Sequence, residues 1–176
     1  MTAGPVAILI GPPGAGKTTV GTELAARLGV GFTDTDAAIS DAAGKPVADI
    51  FIDDGEPAFR ALEREAVAAA IGSHAGVVGL GGGAVLDLGT RTRLAGRPVV
   101  YLVASFPELA RRVGMDRPRP LLIGTNPRAQ LKALLDQRLP IYQELAWLTV
   151  NTEGREPVDI AAEIADAITA DARPPR

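Results

Sequence analysis

The sequence predicts an α/β fold built around a parallel sheet, and three observations lead to this prediction. Short apolar runs at 6–10, 76–80, 98–103 and 147–150 have the length and composition of strands that are covered on both faces. Segments with apolar residues at helical spacing separate these runs, an alternation typical of right-handed βαβ units. A glycine-rich turn joins the first run to the first helical segment. We therefore expect a single domain over residues 1–176.

Composition narrows the class of protein. The chain has 176 residues, 47% of them hydrophobic and 22% charged, as in an average globular domain. Its net charge of −3 argues against a general nucleic-acid or membrane-surface binder. With no cysteine and one histidine, the chain offers no thiolate chemistry and no Cys- or His-rich metal site, so a metal would need oxygen ligands. Because no leader and no apolar run of about 18 residues is present, we expect a cytoplasmic protein.

Local signals divide the chain into elements. The first helical segment, 16–28, repeats apolar residues every four positions and ends at Gly29, a typical C-terminal cap. A further predicted strand, the second in chain order, ends within Gly31-Phe32-Thr33-Asp34-Thr35-Asp36, and the run at 76–80 is the third. Glycine and proline divide the region between these two strands into three predicted helices, 36–43, 47–54 and 56–71. Asn126-Pro127 and Pro157 are typical helix starts. The first of them leads into four leucines at helical spacing, Leu131, Leu134, Leu135 and Leu139.

The phosphate loop, defined as residues 11–18, matches the pattern G-x-x-x-x-G-K-[ST]. It lies between a predicted strand and a predicted helix, which is the context that the pattern requires. Glycines allow the turn in which successive backbone N–H groups point at phosphate, and the helix N-terminus adds partial positive charge. Lys17 would reach the β- and γ-phosphates, and the Thr18 hydroxyl would face Mg²⁺. The loop therefore predicts binding of a nucleoside triphosphate.

Two acids follow the second predicted strand. The third and fourth strands end without a carboxylate, which argues against an AAA-type motor, and the Asn-Lys-x-Asp pattern of GTPases is absent. Asp34 and Asp36 lie two positions apart and, if the chain is extended there, project to the same side. We assign Asp34 to hydrated Mg²⁺ and Asp36 to the proton of an attacking hydroxyl. A simple N-cap at Asp36 is the alternative.

Further glycines and arginines allow two interpretations each. Arg60 and Glu63 share a helix face, where a solvated ion pair is the simpler interpretation. Residues 81–83, three glycines at a strand end, form either a flexible turn or a close approach of backbone to ligand. Arg138, just before Pro140, would serve a helix C-terminal dipole or an anion. For 114–126, which contains prolines, Arg117 and Arg119, we expect a lid or an exposed basic loop. His74 is expected at the surface and Trp147 in the core.

Taken in order, these motifs resemble those of shikimate kinases. The residues that carry the resemblance are 11–18, Asp34-Thr35-Asp36, Phe59-Arg60-Ala61-Leu62-Glu63, Gly81-Gly82-Gly83, Arg119-Pro120-Leu121-Leu122 and Arg138-Leu139-Pro140-Ile141-Tyr142. The resemblance implies a three-layer P-loop fold of the nucleoside-monophosphate-kinase type, with a five-stranded parallel sheet flanked by helices. It also implies a substrate-binding helical region at about 35–62 and a mobile lid at about 114–126.

The same resemblance implies an activity and roles for individual residues. The reaction is the ATP- and Mg²⁺-dependent phosphorylation of the 3-hydroxyl of shikimate, in chorismate and aromatic amino-acid biosynthesis. Asp36 would contact that hydroxyl, Arg60 and Arg138 would bind the carboxylate, and the glycines at 81–83 would line the ring. Lys17, Asp36 and Arg119 would be catalytic, and Thr18 and, through water, Asp34 would hold the metal. The ATP-binding residues would be Gly14, Ala15, Gly16, Lys17, Thr18, Thr19, Arg112, Arg119, Arg155 and Pro157.

One departure and two alternatives accompany the resemblance. Ala61 stands where many family members have a second arginine, so no ligand contact is assigned to it, and Arg117 receives no role. A gluconate kinase or another small-molecule P-loop kinase, such as a nucleoside monophosphate kinase, is the first alternative. The second is a non-catalytic shikimate-kinase-like module, which would be expected to have lost Lys17 or Asp36. Shikimate and ATP are the expected partners, without nucleic acid or membrane, and we expect a monomer.

Overall fold

A five-stranded parallel sheet organises the residues described by the computed structural model, which are 4–114 and 126–170. The strand order is β2-β3-β1-β4-β5, and every neighbouring pair is parallel. The strands are β1 (Ala7–Ile10), β2 (Phe32–Asp34), β3 (Val77–Gly79), β4 (Val99–Val103) and β5 (Leu148–Asn151). The predicted α/β class with a parallel sheet is confirmed, and the strand ends at which ligands of such sheets bind lie on one edge.

Helices cover both faces of the sheet. They are α1 (Lys17–Leu28), α2 (Thr35–Ala43), α3 (Val47–Asp53), α4 (Glu56–Ser73), α5 (Leu88–Leu94), α6 (Phe106–Arg112), α7 (Pro127–Leu145) and α8 (Pro157–Thr169), with a 3₁₀ turn at Ala84–Leu86. Alternate residues of β1 enter different cores: Ala7 and Leu9 pack with α1 and α8, whereas Ile8 and Ile10 pack with α4 and α7. This two-residue period gives the three layers expected from the sequence.

Local signals set most helix ends where they were predicted. Gly29 caps α1 and Gly44 ends α2, both in the left-handed conformation, with φ of 66° and 68°. Gly55 precedes α4 with φ of 83°. The Asn126 side chain accepts a hydrogen bond of 3.0 Å from the backbone N–H of Ala129 at the start of α7. Helices α2, α3 and α4 share a small apolar cluster of their own, so the predicted helical region 35–62 packs as a unit beside the sheet.

Helix α7 differs from the prediction at its C-terminal half. Pro140 lies inside the helix, which continues to Leu145, so Arg138 is an interior residue and the predicted C-terminal dipole role is wrong. Proline has no N–H to donate to the carbonyl four residues earlier, and this loss is tolerated here. Leu134 and Leu139 are 42% and 40% exposed, so only part of the leucine stripe is buried.

Trp147 has the surroundings expected from the sequence, whereas His74 does not. Trp147 is partly buried against the core cluster of α1 and α8, as expected. His74 is half-buried instead of lying free on the surface. Its ring nitrogens lie 3.2 Å from the Gly31 carbonyl oxygen and 3.4 Å from the Thr33 hydroxyl, so the ring joins the starts of β2 and β3.

Most of the predicted lid lies outside the residues that the structure describes. Of 114–126, only the end residues Gly114 and Asn126 belong to the described ranges, so the expectations for Arg117 and Arg119 lie outside them. Over 4–114 and 126–170, no helix combines the length and apolarity needed to cross a bilayer.

Candidate active site

The phosphate loop connects β1 to α1 and is shaped by three glycines. Gly11, Gly14 and Gly16 have φ of 149°, 83° and 96°, values at which a side chain would be strained. A Cβ on Gly11 would also lie 2.7 Å from the Leu102 carbonyl oxygen. The ammonium group of Lys17 lies inside this turn and donates to the carbonyl oxygens of Gly11, at 2.7 Å, and Pro12, at 3.0 Å. The loop thus has the backbone shape and the cation that a phosphate chain requires.

An open cavity of about 440 Å³ adjoins the phosphate loop. It brings together eight of the predicted ATP-binding residues, which are Gly14, Ala15, Gly16, Thr18, Thr19, Arg112, Arg155 and Pro157. Thr152 also lines it and was missed by sequence reasoning. Its signal was its position directly after β5, at the sheet edge where ligands bind.

Arg112 connects this cavity to the phosphate loop. Its guanidinium donates to the Gly14 carbonyl oxygen at 3.1 Å and to the Thr152 hydroxyl at 3.0 Å. Glu108, four residues earlier on α6, accepts a further bond at 2.8 Å. Arg155, which also lines the cavity, donates to Glu163 at 2.6 Å. Both cationic side chains at the cavity therefore have fixed directions.

Asp34 ends β2 and caps α2. Its Oδ1 accepts from the backbone N–H groups of Asp36 and Ala37, at 3.0 and 3.1 Å, and its Oδ2 accepts from the Thr18 hydroxyl at 3.0 Å. The chain is not extended from Asp34 to Asp36, which was the condition for the two carboxylates to project to the same side, because helix α2 begins at Thr35. The N-cap is Asp34 and not Asp36. Adjacent hydroxyl and carboxylate oxygens at Thr18 and Asp34 fit a hard cation such as Mg²⁺.

Asp36 lies in the first turn of α2 and faces the interior of the site. Its Oδ1 is buried without a hydrogen-bond partner. Burial, and secondarily Asp34, raise the pKa of the Asp36 carboxyl, while Lys17 and Arg60 partly offset this. Burial lowers the pKa of Lys17 to about 8 against the opposing effects of Asp36 and Asp34. The two acids and the lysine therefore interact electrostatically, and Asp36 is the acid that has an oxygen without a hydrogen-bond partner.

The glycine turn, defined as residues 81–83, makes room for three functional side chains. A Cβ on Gly81 would lie 2.5 Å from Asp36 Oδ1, one on Gly82 3.3 Å from Arg138 Nη1, and one on Gly83 2.5 Å from Arg60 Nη1. These glycines do not have positive φ. They are required for space and not for conformational freedom, so the interpretation as a merely flexible turn is wrong.

Arg60 and Arg138 approach the turn from α4 and α7. Arg60 Nη1 donates to Glu63 Oε1 at 2.7 Å, and the Glu63 side chain is only 5% exposed, so this pair is not the solvated one considered from the sequence. Burial raises the pKa of the Glu63 carboxyl and Arg60 lowers it in part, with smaller effects from Asp36 and Arg138. Arg138 is 7% exposed, and its Nε is buried without a hydrogen-bond partner.

The glycine turn is also held by two side chains to which the sequence analysis gave no role. The Thr35 hydroxyl accepts from the Gly81 N–H at 3.1 Å, and the Tyr142 hydroxyl donates to the Gly82 carbonyl oxygen at 2.6 Å. Both residues were within motifs that were noticed for their charged neighbours. Their burial was the missing information.

Comparison with known proteins identifies the family to which the chain belongs. A family model described as shikimate kinase matches residues 13–169. The chain is 61% identical over 170 residues to a shikimate kinase of Thermobifida fusca, covering 97% of this chain and 98% of that protein. It is 56% identical over 167 residues to one of Saccharopolyspora erythraea, covering 95% of each. A solved shikimate kinase from Acinetobacter baumannii, in complex with shikimate, superposes with a TM-score of 0.86 at 37% identity, covering 97% of this chain and 95% of that chain. The chain therefore belongs to the shikimate kinase family.

Proposed function

We propose that this protein transfers the γ-phosphoryl group of ATP to the 3-hydroxyl of shikimate, giving shikimate 3-phosphate and ADP. The observation that carries the proposal is a pair of buried polar atoms. Within 4–114 and 126–170, Asp36 Oδ1 and Arg138 Nε are the buried side-chain atoms without a hydrogen-bond partner. Buried polar atoms are normally paired, so each of these calls for a ligand group. A hydroxyl and a carboxylate on one small molecule supply the complementary donor and acceptor.

Binding of ATP is assigned to the phosphate loop and the cavity beside it. Lys17 compensates phosphate charge, and Arg112 and Arg155 border the base together with Pro157. Thr18 and Asp34 would hold Mg²⁺ through the hydroxyl and, by way of water, the carboxylate. When bound, the ion neutralises charge on the β- and γ-phosphates. The contact of 3.0 Å between Thr18 and Asp34 supports this assignment.

The acceptor site supplies a base and a carboxylate clamp. Arg60 and Arg138 would pair with the shikimate carboxylate, for which the planar guanidinium is suited. Asp36 would take the proton of the shikimate 3-hydroxyl while the oxygen of that hydroxyl bonds to the γ-phosphorus. At the same time the bond between the γ-phosphorus and the oxygen that leaves with ADP breaks. Because its pKa is raised, the Asp36 carboxylate is a stronger base, which favours its proposed role as proton acceptor. Arg119 is proposed as a further catalytic cation on the resemblance alone.

Two alternatives are less favoured by the same residues. Asp36 with Arg60 and Arg138 suits a carboxylated alcohol better than a phosphate acceptor, and membership of the shikimate kinase family favours shikimate over gluconate. A non-catalytic module would not need Lys17 and Asp36, and both are present.

Sedimentation of the purified protein at the mass of one 18.2 kDa chain would test the proposed monomer.

An ADP-release assay across acceptors tests the proposed function. Shikimate, quinate, gluconate and nucleoside monophosphates are offered in turn with ATP, with Mg²⁺ or with EDTA. We expect shikimate to stimulate release most strongly, and EDTA to abolish it. If shikimate fails to stimulate ADP release, the proposed function is wrong.

Replacing the base tests the role of Asp36. Asp36→Asn keeps the size of the side chain and removes its ability to accept a proton, so we expect kcat to fall by about 10²- to 10⁴-fold. ATP affinity, measured by titration without shikimate, should change little because the nucleotide cavity does not include this residue. An unchanged kcat would contradict the assignment.

Removing one arginine tests the carboxylate clamp. Arg138→Ala leaves a buried anion without its cation, and we expect the KM for shikimate to rise about 10²-fold. The KM for ATP should stay within about threefold. Arg64→Ala is the matched control, since Arg64 is exposed one turn beyond Arg60 on α4. Equal losses for both substrates would argue against the clamp.

A further inference from the structure

We propose that Thr35 and Tyr142 are positioning residues: their hydroxyls hold neighbouring residues of the glycine turn and so set the separation between Asp36 and Arg138. The inference rests on the proposed function of these two charged residues toward shikimate. It concerns side chains that lie behind the site, and it assigns them no contact with either substrate.

Thr35 ties the turn to the helix that carries the base. Its side chain is completely buried, and its hydroxyl accepts from the Gly81 N–H at 3.1 Å. Thr35 is the first residue of α2 and directly precedes Asp36. Gly81 is also the residue whose missing Cβ makes room for Asp36 Oδ1. One hydrogen bond therefore fixes the backbone of the turn against the carboxylate.

Tyr142 ties the turn to the helix that carries the arginine. Its hydroxyl donates to the Gly82 carbonyl oxygen at 2.6 Å, and its side chain is 1% exposed. Tyr142 follows Arg138 by four residues, so the two side chains lie on one face of α7. Gly82 is the residue that makes room for Arg138 Nη1. The ring is held in turn by Tyr101, with centroids 5.1 Å apart and planes at 25°.

The electrostatic surroundings keep Tyr142 a donor. Burial raises its pKa to about 12, and the neighbouring Arg138 charge offsets this only in part. The hydroxyl therefore keeps its proton at neutral pH and can act as a hydrogen-bond donor. Helices α2 and α7 each hydrogen-bond to the same turn, through Thr35 and Tyr142. A change in either hydrogen bond therefore alters the distance between Asp36 and Arg138.

Steady-state kinetics of single-group variants test the inference. Tyr142→Phe and Thr35→Val each remove one hydroxyl function and keep nearly the same volume. We expect the KM for shikimate to rise about tenfold, the size of one lost hydrogen bond, with the KM for ATP within twofold. Thr35→Ser keeps the hydroxyl and should restore the wild-type KM. Tyr101→Phe is the matched control, since within the described residues its hydroxyl makes no hydrogen bond. An unchanged KM for shikimate, or equal rises for both substrates, would overturn the proposal.

Amide exchange gives a readout that does not depend on turnover. We expect the Gly81 amide of ¹⁵N-labelled protein to exchange about tenfold faster in Thr35→Val than in wild type or Thr35→Ser. In Tyr142→Phe the Gly83 amide resonance should shift, because the Gly82 carbonyl loses its donor, while Tyr101→Phe leaves it in place. Unaltered Gly81 exchange and Gly83 shift would refute the clamp. A wild-type protein inactive on shikimate would instead refute the proposed function, which keeps the two failures distinct.

Discussion

A methyl group added to Gly81 should displace the base and leave the rest of the molecule intact. In Gly81→Ala the new Cβ would lie 2.5 Å from Asp36 Oδ1 and 3.0 Å from both Cγ and Oδ2. Ordinary contacts of this kind begin at about 3.4 Å, so the carboxylate must retreat by nearly 1 Å. The side chain is short, and its backbone belongs to the capped first turn of α2, so rotation of the carboxylate cannot absorb all of this movement.

The expected cost follows from the size of that displacement. A misplacement of about 1 Å at a reacting group reduces turnover by about 10²-fold. The backbone of Gly81 does not have positive φ, so alanine introduces no conformational strain of its own. Because Gly81 does not line the nucleotide cavity, the KM for ATP should stay within about twofold. The predicted signature is a fall in kcat without a matching change in ATP binding.

The coupled ADP-release assay measures this signature, and Gly72 provides the control. Gly72 lies in the last turn of α4, and a Cβ there would meet no atom within 4 Å. Gly72→Ala should therefore leave kcat unchanged and slightly stabilise the helix, by about 0.5–1 kcal/mol. If Gly81→Ala retains kcat within threefold of the wild-type value, the reasoning from space around Asp36 is wrong.

Two further substitutions test the contact of Gly83 with Arg60 and the ion pairs of Glu108. In Gly83→Ala the new Cβ would lie 2.5 Å from Arg60 Nη1, which is the end of a long flexible side chain that can move. We therefore expect the KM for shikimate to rise about tenfold while kcat stays within threefold of the wild-type value. A loss mainly in kcat would contradict this. Arg111 and Arg112 lower the pKa of Glu108 to about 2, from about 4.3 in an unfolded chain. This stabilising effect is complete above that unfolded value and is lost as pH falls toward 2. Melting temperatures between pH 7 and 2 should therefore fall more steeply in wild type than in Glu108→Gln, and parallel curves would count against the ion pairs.

Most of the fold was predictable because its boundaries depend on local chemistry. Gly29, Gly44 and Gly55 end or precede helices by adopting positive φ, which any reading of the sequence can anticipate. A helix was expected before the loop at 114–126 but was given no bounds, although the signal for its start was present: Ser105 caps α6, accepting from the Glu108 N–H at 3.4 Å, as the Ser-x-x-Glu spacing indicates.

The course of α7 was not predictable from local rules. Proline normally ends a helix, but Pro140 lies within α7 because the following turn is held from outside. Tyr142 is buried against the sheet, stacks on Tyr101 and bonds to the glycine turn. These contacts join residues about 40 and 60 positions apart in the chain, and no propensity argument contains them. Arg138 consequently enters the site from a helix interior.

The proposed division of roles between the two acids gains support from structural details that their spacing in the sequence does not contain. Both the sequence and the structure place Asp34 and Asp36 at one end of β2, yet the reason that they differ is where the strand stops. Because the helix begins at Thr35, both Asp34 oxygens are occupied by the cap and by Thr18. The same turn directs Asp36 inward, toward Gly81, where one oxygen has no partner. An acid with satisfied oxygens suits a fixed role beside a cation, and a buried acid whose oxygen lacks a hydrogen-bond partner suits proton transfer. One hydrogen-bonded turn thus gives two identical side chains different surroundings, which supports the proposal that they have different functions.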